Sequence, residues 1–178
     1  TAVDAAGNQT TASFTVTITD DEAPAIAGTP ANITQTADAG QCGAVVNYTA
    51  PTSTDNCAVT SFTSTHDSGD TFAVGTTTVT YTAVDAAGNQ TTSSFTVTVT
   101  DDEAPAIAGM PTNINISNDA GICGAVATWT DPTATDNCSV ASFTGTHASG
   151  TTFAVGTTTV TYTAVDVNGN QSTASFTV

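Results

Sequence analysis

The chain has 178 residues, with no lysine or arginine and with 16 aspartate and glutamate residues, so its formal net charge at pH 7 is −16. Without basic side chains it cannot neutralise a phosphate backbone, which excludes nucleic-acid binding, and an anionic membrane surface would repel it. Enzymes that depend on a P-loop lysine or a lysine Schiff base are excluded for the same reason.

Apolar and polar residues alternate along most of the chain, and this pattern predicts β-strands. The Pro-containing stretch from Pro24 to Thr36 is predicted to be an edge strand, where a missing amide donor is tolerated. Alternation over residues 44–49 predicts a second strand with Tyr48 facing inward, and Trp129 takes the place of Tyr48 in the second half of the chain. A third strand is predicted from Val59 to about Thr65.

The next two predicted strands form a hairpin. Apolar residues alternate with threonine over residues 78–83 and again over residues 95–100. The segment DAAGN at 85–89 joins them, and Gly88 within it can adopt the positive φ that a tight turn requires. No helical period is present. Roughly seven short strands with turns every eight to twelve residues are typical of an immunoglobulin-like sandwich.

The chain also repeats itself at an offset of 81 residues, because residues 82–109 copy residues 1–28 with two substitutions. A unit of this length is large enough to fold by itself. We therefore predict an all-β chain of tandem immunoglobulin-like (fibronectin III-like) antiparallel β-sandwich modules. The expected divisions are 1–19 for the C-terminal part of a preceding module, 20–100 for a whole module and 101–178 for a nearly complete one. We expect the chain to be a window on a longer array.

Each whole module carries two cysteines, Cys42 and Cys57 in one and Cys123 and Cys138 in the next. Their spacing fits no zinc pattern, so we predict disulfides and an oxidising, extracytoplasmic compartment. A bond within each module is favoured, because an isolated module could then form it during export. That bond requires residues 50–56 to run back almost fully extended. The alternative joins Cys42, at the bottom of one module, to Cys138, at the top of the next.

Carboxylates and amides cluster at three places in each module: the linker before the first strand, the loop before the second cysteine and the hairpin turn. In an immunoglobulin topology these places share one end of the sandwich, and their hard oxygen atoms suit Ca²⁺. The predicted calcium ligands are Asp20, Asp21, Glu22, Asp55, Asn56, Asp85, Asn89, Asp101, Asp102, Glu103, Asp136, Asn137, Asp166 and Asn170. The competing interpretation is that these residues only form turns and a soluble acidic linker.

His66 and His147 occupy the same loop position in the two modules. A catalytic histidine would need a nucleophile and an orienting partner, and the sequence repeats neither beside them. We therefore expect solvated loop histidines and no enzymatic activity.

Several runs resemble the hyalin repeat, an immunoglobulin-like extracellular module, and the resemblance extends over the whole chain. They are PANIT at 30–34, AVVNYTAP at 44–51, TDN at 54–56, FAVGTTTVTYTAVDAAGN at 72–89 and SFTVTV at 94–99. The family often has a cysteine before the proline of its first strand and another before the phenylalanine of its last. Here those positions hold Thr29 or Met110 and Ser94 or Ser175, so that bridge is not expected.

The resemblance implies a spacer role, and we predict a structural stalk in a large extracellular cell-surface adhesin. Acidic, threonine-rich repeats with these cysteine frames are similar to those of gliding-motility adhesins exported by type IX secretion. The expected partners are neighbouring modules of the same chain, with glycans or substratum contacted through other regions, and no membrane insertion is expected in this segment. The alternative is a module that itself binds a ligand or glycan. Near-identity of the two junctions favours the spacer.

Overall fold

The computed structural model describes residues 1–178 and contains only β-strands. A short hairpin of β1 (Ala2–Val3) and β2 (Gln9–Thr10) comes first. The first module then has β3 (Ala25–Ala27), β4 (Ile33–Thr36), β5 (Gly43–Val45), β6 (Thr52–Thr54), β7 (Val59–Ser64), β8 (Thr71–Ala73), β9 (Gly75–Asp85) and β10 (Gln90–Thr100). The second has β11 (Ala106–Ala108), β12 (Gly124–Ala127), β13 (Thr133–Thr135), β14 (Val140–Gly145), β15 (Thr151–Ala154), β16 (Thr159–Asp166) and β17 (Gln171–Thr177). No helix has the length and apolarity needed to cross a membrane.

Each module is a small sandwich of sheets. In the first module β4, β10, β9 and β7 form a four-stranded sheet, while β3 pairs with β6 and β5 pairs with β8. In the second module β14, β16 and β17 form a three-stranded sheet with no strand equivalent to β4, while β11 pairs with β13 and β12 pairs with β15. The pairs are antiparallel except for β4 with β10, which run parallel. The predicted all-β, immunoglobulin-like architecture is confirmed.

The core of each module lies between its sheets and is built from the inward positions of the alternating strands. The first core contains Ala44, Val46, Phe72, Val79, Tyr81, Phe95, Val97 and Val99, and the second Ala127, Phe153, Val160, Tyr162 and Phe176. Trp129 occupies the inward position of Tyr48, as predicted, and its indole nitrogen donates a hydrogen bond to the Tyr162 hydroxyl at 2.8 Å. Both cores are small: most members of the first are alanine or valine, whereas three aromatic rings make up most of the second.

The predicted hairpin is confirmed, with Phe95 opposite Val79 in the β9–β10 ladder. The single edge strand predicted from Pro24 to Thr36 is wrong, because that stretch forms β3 and β4 in two different sheets. The chain turns between them at Gly28, which has a φ of 77°. Only glycine adopts this conformation without strain, so the strand cannot continue through it.

The inward and outward alternation predicted over residues 44–49 is correct, since Ala44 and Val46 are buried while Val45 and Asn47 are exposed. The strand itself ends sooner, at Val45. Two strands were not predicted, β6 and β8, because each is only three residues long and lies among turn-forming residues. Both become strands through tertiary pairing with β3 and β5.

Residues 11–19 form no strand, although their sequence nearly repeats that of β10. Phe14, Val16 and Ile18 are 88%, 74% and 91% exposed, whereas the equivalent residues of β10 are buried. The same side chains are therefore buried only where a sheet covers them. The assignment of residues 1–19 to a preceding module remains a prediction.

Candidate metal centre and module junction

Three aspartates from three chain segments converge at one end of each module, the end that holds the β9–β10 or β16–β17 turn and is here called the top. In each set, one carboxylate oxygen per residue lies within 4.8 Å of the others. The first cluster is Asp20, Asp55 and Asp85, and the second cluster is Asp101, Asp136 and Asp166. The structure thus brings together six of the residues that the sequence predicted as ligands.

The aspartate at the end of β9 or β16 also holds the hairpin turn. Asp85 Oδ1 accepts hydrogen bonds from the backbone N–H groups of Gly88 and Asn89 at 2.7 and 2.8 Å, and Oδ2 accepts one from the Asn89 side chain at 2.7 Å. Asp166 receives the equivalent side-chain bond from Asn170 at 2.7 Å. Burial raises the pKa of the Asp85 carboxyl, but these bonds outweigh it and hold that pKa below its usual value.

The second aspartate begins a tight turn directly after β6 or β13. Asp55 Oδ1 accepts the N–H groups of Cys57 and Ala58 at 2.9 and 3.1 Å. Asp136 Oδ1 accepts that of Cys138 at 2.9 Å in the same way. The turn uses one oxygen of each carboxylate and leaves the other, Oδ2, buried without a hydrogen-bond partner.

The third aspartate comes from the linker. Asp101 Oδ1 accepts hydrogen bonds from the Asn137 side chain at 3.1 Å and the Glu103 N–H at 3.2 Å, and Oδ2 accepts one from the Asn168 side chain at 2.8 Å. Burial raises the pKa of the Asp101 carboxyl, yet these bonds outweigh it and keep that pKa below its usual value. Asp101 therefore connects the linker to both other segments of the second cluster.

The oxygen atoms left without partners point to the kind of ligand that the clusters suit. Oδ2 of Asp20, Asp55 and Asp136 and Oδ1 of Asn137 are buried and accept no hydrogen bond. Such atoms are costly unless something pairs with them, and the chain has no lysine or arginine to do so. Ca²⁺ binds oxygen atoms at 2.3–2.6 Å, so two of its ligands lie at most about 5 Å apart. The donor chemistry and spacing of both clusters fit this ion.

The two modules are joined by a disulfide between Cys42 and Cys138, whose Cα atoms are 4.6 Å apart and 96 residues apart in sequence. The favoured prediction of bonds within modules is therefore wrong, and Cys57 and Cys123 are free and exposed. Pairing of β6 with β3 keeps Cys57 at the top of its module, so residues 50–56 do not run back toward Cys42. The alternative across the junction is the bond that forms.

Cys42 lies at the bottom of the first module, at the end of a loop that follows β4. The start of this loop is fixed by a hydrogen bond from the Ala37 N–H to the Thr100 carbonyl, where β10 ends. Its tip contacts the second module, since the Gly40 N–H donates to Glu103 Oε2 at 2.9 Å and the Asn137 side chain donates to the Gln41 carbonyl at 3.0 Å. The disulfide and the second cluster thus belong to one junction.

Comparison with known protein families identifies the family of this chain. The HYR domain family model matches residues 19–99 and 100–178, which is almost the entire sequence. The chain belongs to the HYR domain family. The resemblance to the hyalin repeat that the sequence motifs indicate is confirmed, and the 81-residue units are HYR modules.

Known relatives are similar over long stretches. Hyalin of Lytechinus variegatus is 39% identical over 98% of this chain, and hyalin of Strongylocentrotus purpuratus is 38% identical over all of it. A Rattus norvegicus protein named sushi, von Willebrand factor type A, EGF and pentraxin domain-containing protein 1 is 32% identical over 86% of the chain. The chain spans 34%, 15% and 4% of the length of these three relatives. The human desmocollin-1 ectodomain aligns with 90% of this chain and 37% of its own at a TM-score of 0.29 and 16% identity.

The other predicted ligands lie around the clusters of the HYR modules rather than in them. Asp21 and Asp102 are exposed, and each lies next to a cluster aspartate in the linker. Asn89 donates from its amide nitrogen to Asp85 and to the Asp20 carbonyl, and Asn170 does the equivalent in the second module, so both position the carboxylates. Glu22 and Asn56 bind each other, whereas Glu103 and Asn137 bind the loop of the preceding module.

The sequence did not predict the contacts that two further residues, Asn168 and Cys57, make with aspartates of the clusters. Asn168 reaches Asp101 from the hairpin turn, and the first module has Ala87 at the equivalent position, so comparison of the two repeats could have identified it. Cys57 lies beside Asp20, and a hydrogen bond to that carboxylate, together with its charge, raises the pKa of the thiol. The predicted convergence of the linker with residues 55–56 brings this cysteine to the same end of the module, but its contact with Asp20 was not predicted.

Each histidine packs against a neighbouring aromatic ring. His66 lies over Phe72 with ring centroids 5.2 Å apart, and His147 lies over Phe153 at 5.3 Å. Their Nδ1 atoms contact the hydroxyls of the threonines that precede them. These contacts give both histidines a structural role in the loop.

A groove in the second HYR module is lined by Ile114, Ile116, Phe153 and Val178 among others. In the first module the residues equivalent to 114–117 form β4 and pair with the end of β10. The groove therefore corresponds to a strand position of the fold rather than to a ligand pocket.

Proposed function

We propose that this chain is a non-catalytic structural segment, a stalk, of a large extracellular adhesion protein. The observation that carries the proposal is the junction, where a disulfide and an acidic cluster lie at the same contact between HYR modules. A stalk needs defined angles between its modules, and a covalent bond together with a second point of attachment provides them. The similarity to two hyalins over nearly the whole chain supports this role.

We further propose that each cluster binds one Ca²⁺ ion. In the second cluster the carboxylates of Asp101, Asp136 and Asp166 would hold it, and in the first cluster those of Asp20, Asp55 and Asp85. Without a cation three anionic groups within 4.8 Å repel one another, and no basic side chain offsets that repulsion. A bound cation reverses the sign of this interaction and draws the linker, the cysteine loop and the hairpin turn together.

The position of the clusters explains how the ion would stiffen an array. The first cluster lies at the turn before β10, and Asp101 of the second cluster directly follows the end of β10. Eleven residues of β-strand therefore separate the clusters, a distance of about 35 Å at 3.3 Å per residue. One ion at each end of every module would hold successive modules in line, and the array would be a thin filament with ions at regular intervals.

Chelation should leave both HYR modules folded and make the pair more flexible. Each core is independent of the clusters, so near-ultraviolet circular dichroism of Trp129 should be unchanged. Small-angle X-ray scattering should show a broader distribution of interatomic distances in excess chelator than in calcium. Superimposable scattering profiles in the two conditions would contradict the calcium proposal. They would indicate that the linker is only a solvated acidic segment.

The narrower proposal, that the parent protein is a gliding-motility adhesin exported by type IX secretion, rests on compositional resemblance. Deletion of the parent gene from a gliding cell should abolish movement and not growth. The alternative function, direct binding of a glycan or other ligand, predicts that the isolated chain is retained on a glycan surface. Retention on a glycan array would favour that alternative over the stalk.

A further inference from the structure

The loop that ends at Cys42, residues 37–42 and here called the docking loop, contacts the second cluster as well as forming the disulfide. The Gln41 carbonyl accepts a hydrogen bond from the Asn137 side-chain nitrogen at 3.0 Å, and the same nitrogen donates to Asp101 Oδ1 at 3.1 Å. Asn137 also directly precedes the disulfide partner of Cys42 in sequence. One amide group therefore connects the docking loop, the disulfide and a carboxylate of the second cluster.

The first module has the same glutamate, asparagine and cysteine at its top, and no loop lies on them in this chain. There the Asn56 side chain is exposed and donates to Glu22 Oε2 at 3.1 Å. In the second module Asn137 is partly buried, and Glu103 Oε2 accepts the Gly40 N–H of the docking loop at 2.9 Å. The loop accounts for this exchange of partners, because its N–H takes the place of the asparagine at the glutamate.

The exchange leaves the oxygen of the Asn137 amide at the second cluster without a partner. The nitrogen of that amide is satisfied by Gln41 and Asp101, whereas Oδ1 is buried and accepts no hydrogen bond. A buried acceptor without a partner is costly, and an amide oxygen is a common ligand of Ca²⁺. Asn56 is exposed, so its oxygen is open to water. The docked loop thus adds an unpaired oxygen beside the carboxylates.

The aspartate that precedes this asparagine does not depend on docking. Asp136 Oδ1 accepts the N–H groups of Cys138 and Ser139 at 2.9 and 3.0 Å. In the first module Asp55 accepts the equivalent N–H groups at 2.9 and 3.1 Å, although no loop is docked there. The connection between the junction and the second cluster therefore runs through Asn137.

We propose that calcium binding at the second cluster and the Cys42–Cys138 disulfide stabilise each other, because the docking loop holds Asn137 where its Oδ1 becomes a fourth ligand of the ion. Coupling of two equilibria is reciprocal. The factor by which the disulfide raises the affinity for calcium is the factor by which calcium opposes reduction of the disulfide. This inference rests on the calcium site proposed above and makes the junction easiest to reduce when calcium is scarce.

Reduction of the junction requires an external thiol, and glutathione is the one used in the test. Two glutathione thiols are oxidised to one glutathione disulfide. The two electrons and two protons that they lose convert the sulfur atoms of Cys42 and Cys138 to thiols as the bond between them breaks.

The first measurement is calorimetric titration of calcium into the full chain with and without the disulfide. Both chains carry Asp55→Asn, which removes a carboxylate of the first cluster, and Cys57→Ser and Cys123→Ser, which leave one possible bond. The open chain also carries Cys42→Ser and Cys138→Ser. We expect the dissociation constant for calcium to be about tenfold higher in the open chain, within the usual range for coupled sites. Near-ultraviolet circular dichroism of Trp129 checks that its module stays folded in both.

The second measurement is the glutathione redox ratio at which half of the Cys42–Cys138 bond is reduced, with calcium and with chelator. Saturating calcium should shift that ratio by the same factor of about ten toward stronger reductant. For a two-electron couple this is a shift of about 30 mV in reduction potential. Alkylation of the released thiols and mass spectrometry give the reduced fraction.

A matched pair of variants tests the route through the amide. Asn137→Ala should lower the calcium affinity of the closed chain to near that of the open chain, so that the disulfide no longer changes it. Asn56→Ala makes the same change at the exposed asparagine of the first module and should leave the tenfold coupling intact.

The outcomes separate this inference from the calcium site itself. Equal calcium affinities of the closed and open chains, or full coupling in Asn137→Ala, would overturn the inference and leave the site standing. A closed chain that binds no calcium at the second cluster would overturn both.

Discussion

Replacement of Cys138 by alanine is expected to lower the free energy of unfolding of the two HYR modules by about 4 to 5 kcal/mol when they unfold together, since the lost bond closes a loop of 96 residues. The measurement is chemical denaturation followed by the fluorescence of Trp129. The single tryptophan lies in the second core and reports on the module that contains Cys138.

The matched control is Cys57→Ala. Cys57 is exposed and forms no disulfide, so the denaturation curve of this variant should nearly coincide with that of the unmodified chain. If a bond formed within each module instead, Cys57→Ala and Cys138→Ala would each break one bond, and both variants would be destabilised. The two variants therefore distinguish the observed connectivity from the one that the sequence favoured.

Asp136→Asn should abolish the calcium-dependent stabilisation of the second module. The asparagine keeps an oxygen for the Cys138 N–H but loses the charge of the carboxylate whose Oδ2 is buried and unpaired. Calcium at 100 times its dissociation constant would stabilise the unmodified module by about 2.7 kcal/mol. For a domain of this size that corresponds to a rise in Tm of roughly 10 to 20 °C. Thermal unfolding with calcium and with chelator, followed at Trp129, measures the difference.

Asp102→Asn is the control for this variant, because it removes the same charge from an exposed residue next to the cluster. It should keep the full calcium-dependent rise in Tm. Equal responses of the two variants and the unmodified chain would contradict calcium binding at the second cluster.

Much of the fold follows from local sequence. Alternation of apolar residues with threonine specifies β9 and β10, and the DAAGN segment at 85–89 specifies the turn between them. The short strands β6 and β8 could not be predicted, because three residues carry no period and their conformation depends on a distant pairing partner. The break at Gly28 was missed for a related reason, since a single glycine is compatible with a strand until the sheets on either side are known.

The sequence predicted which segments meet at the candidate site, because the topology of the fold determines where each segment lies. The convergence of Asp20, Asp55 and Asp85 follows from the positions of the linker, a loop and a hairpin turn in an immunoglobulin-like sandwich. The sequence could not predict which groups form the cluster and which position it, because hydrogen bonds such as that from Asn89 to the Asp20 carbonyl are seen only in coordinates. The disulfide was misassigned because its partners meet only when two modules are placed end to end.

The claim that disulfide and calcium together fix the angle between modules is tested most directly by single-molecule energy transfer. Cys57 and Cys123 are the free, exposed cysteines of the chain, and each lies away from the second cluster, so thioether-linked dyes can be placed there. The unmodified chain in calcium should give one narrow distance distribution. A chain with Cys42→Ser and Cys138→Ser in chelator should give a broad one, with either change alone intermediate. Equally broad distributions under all four conditions would contradict the account.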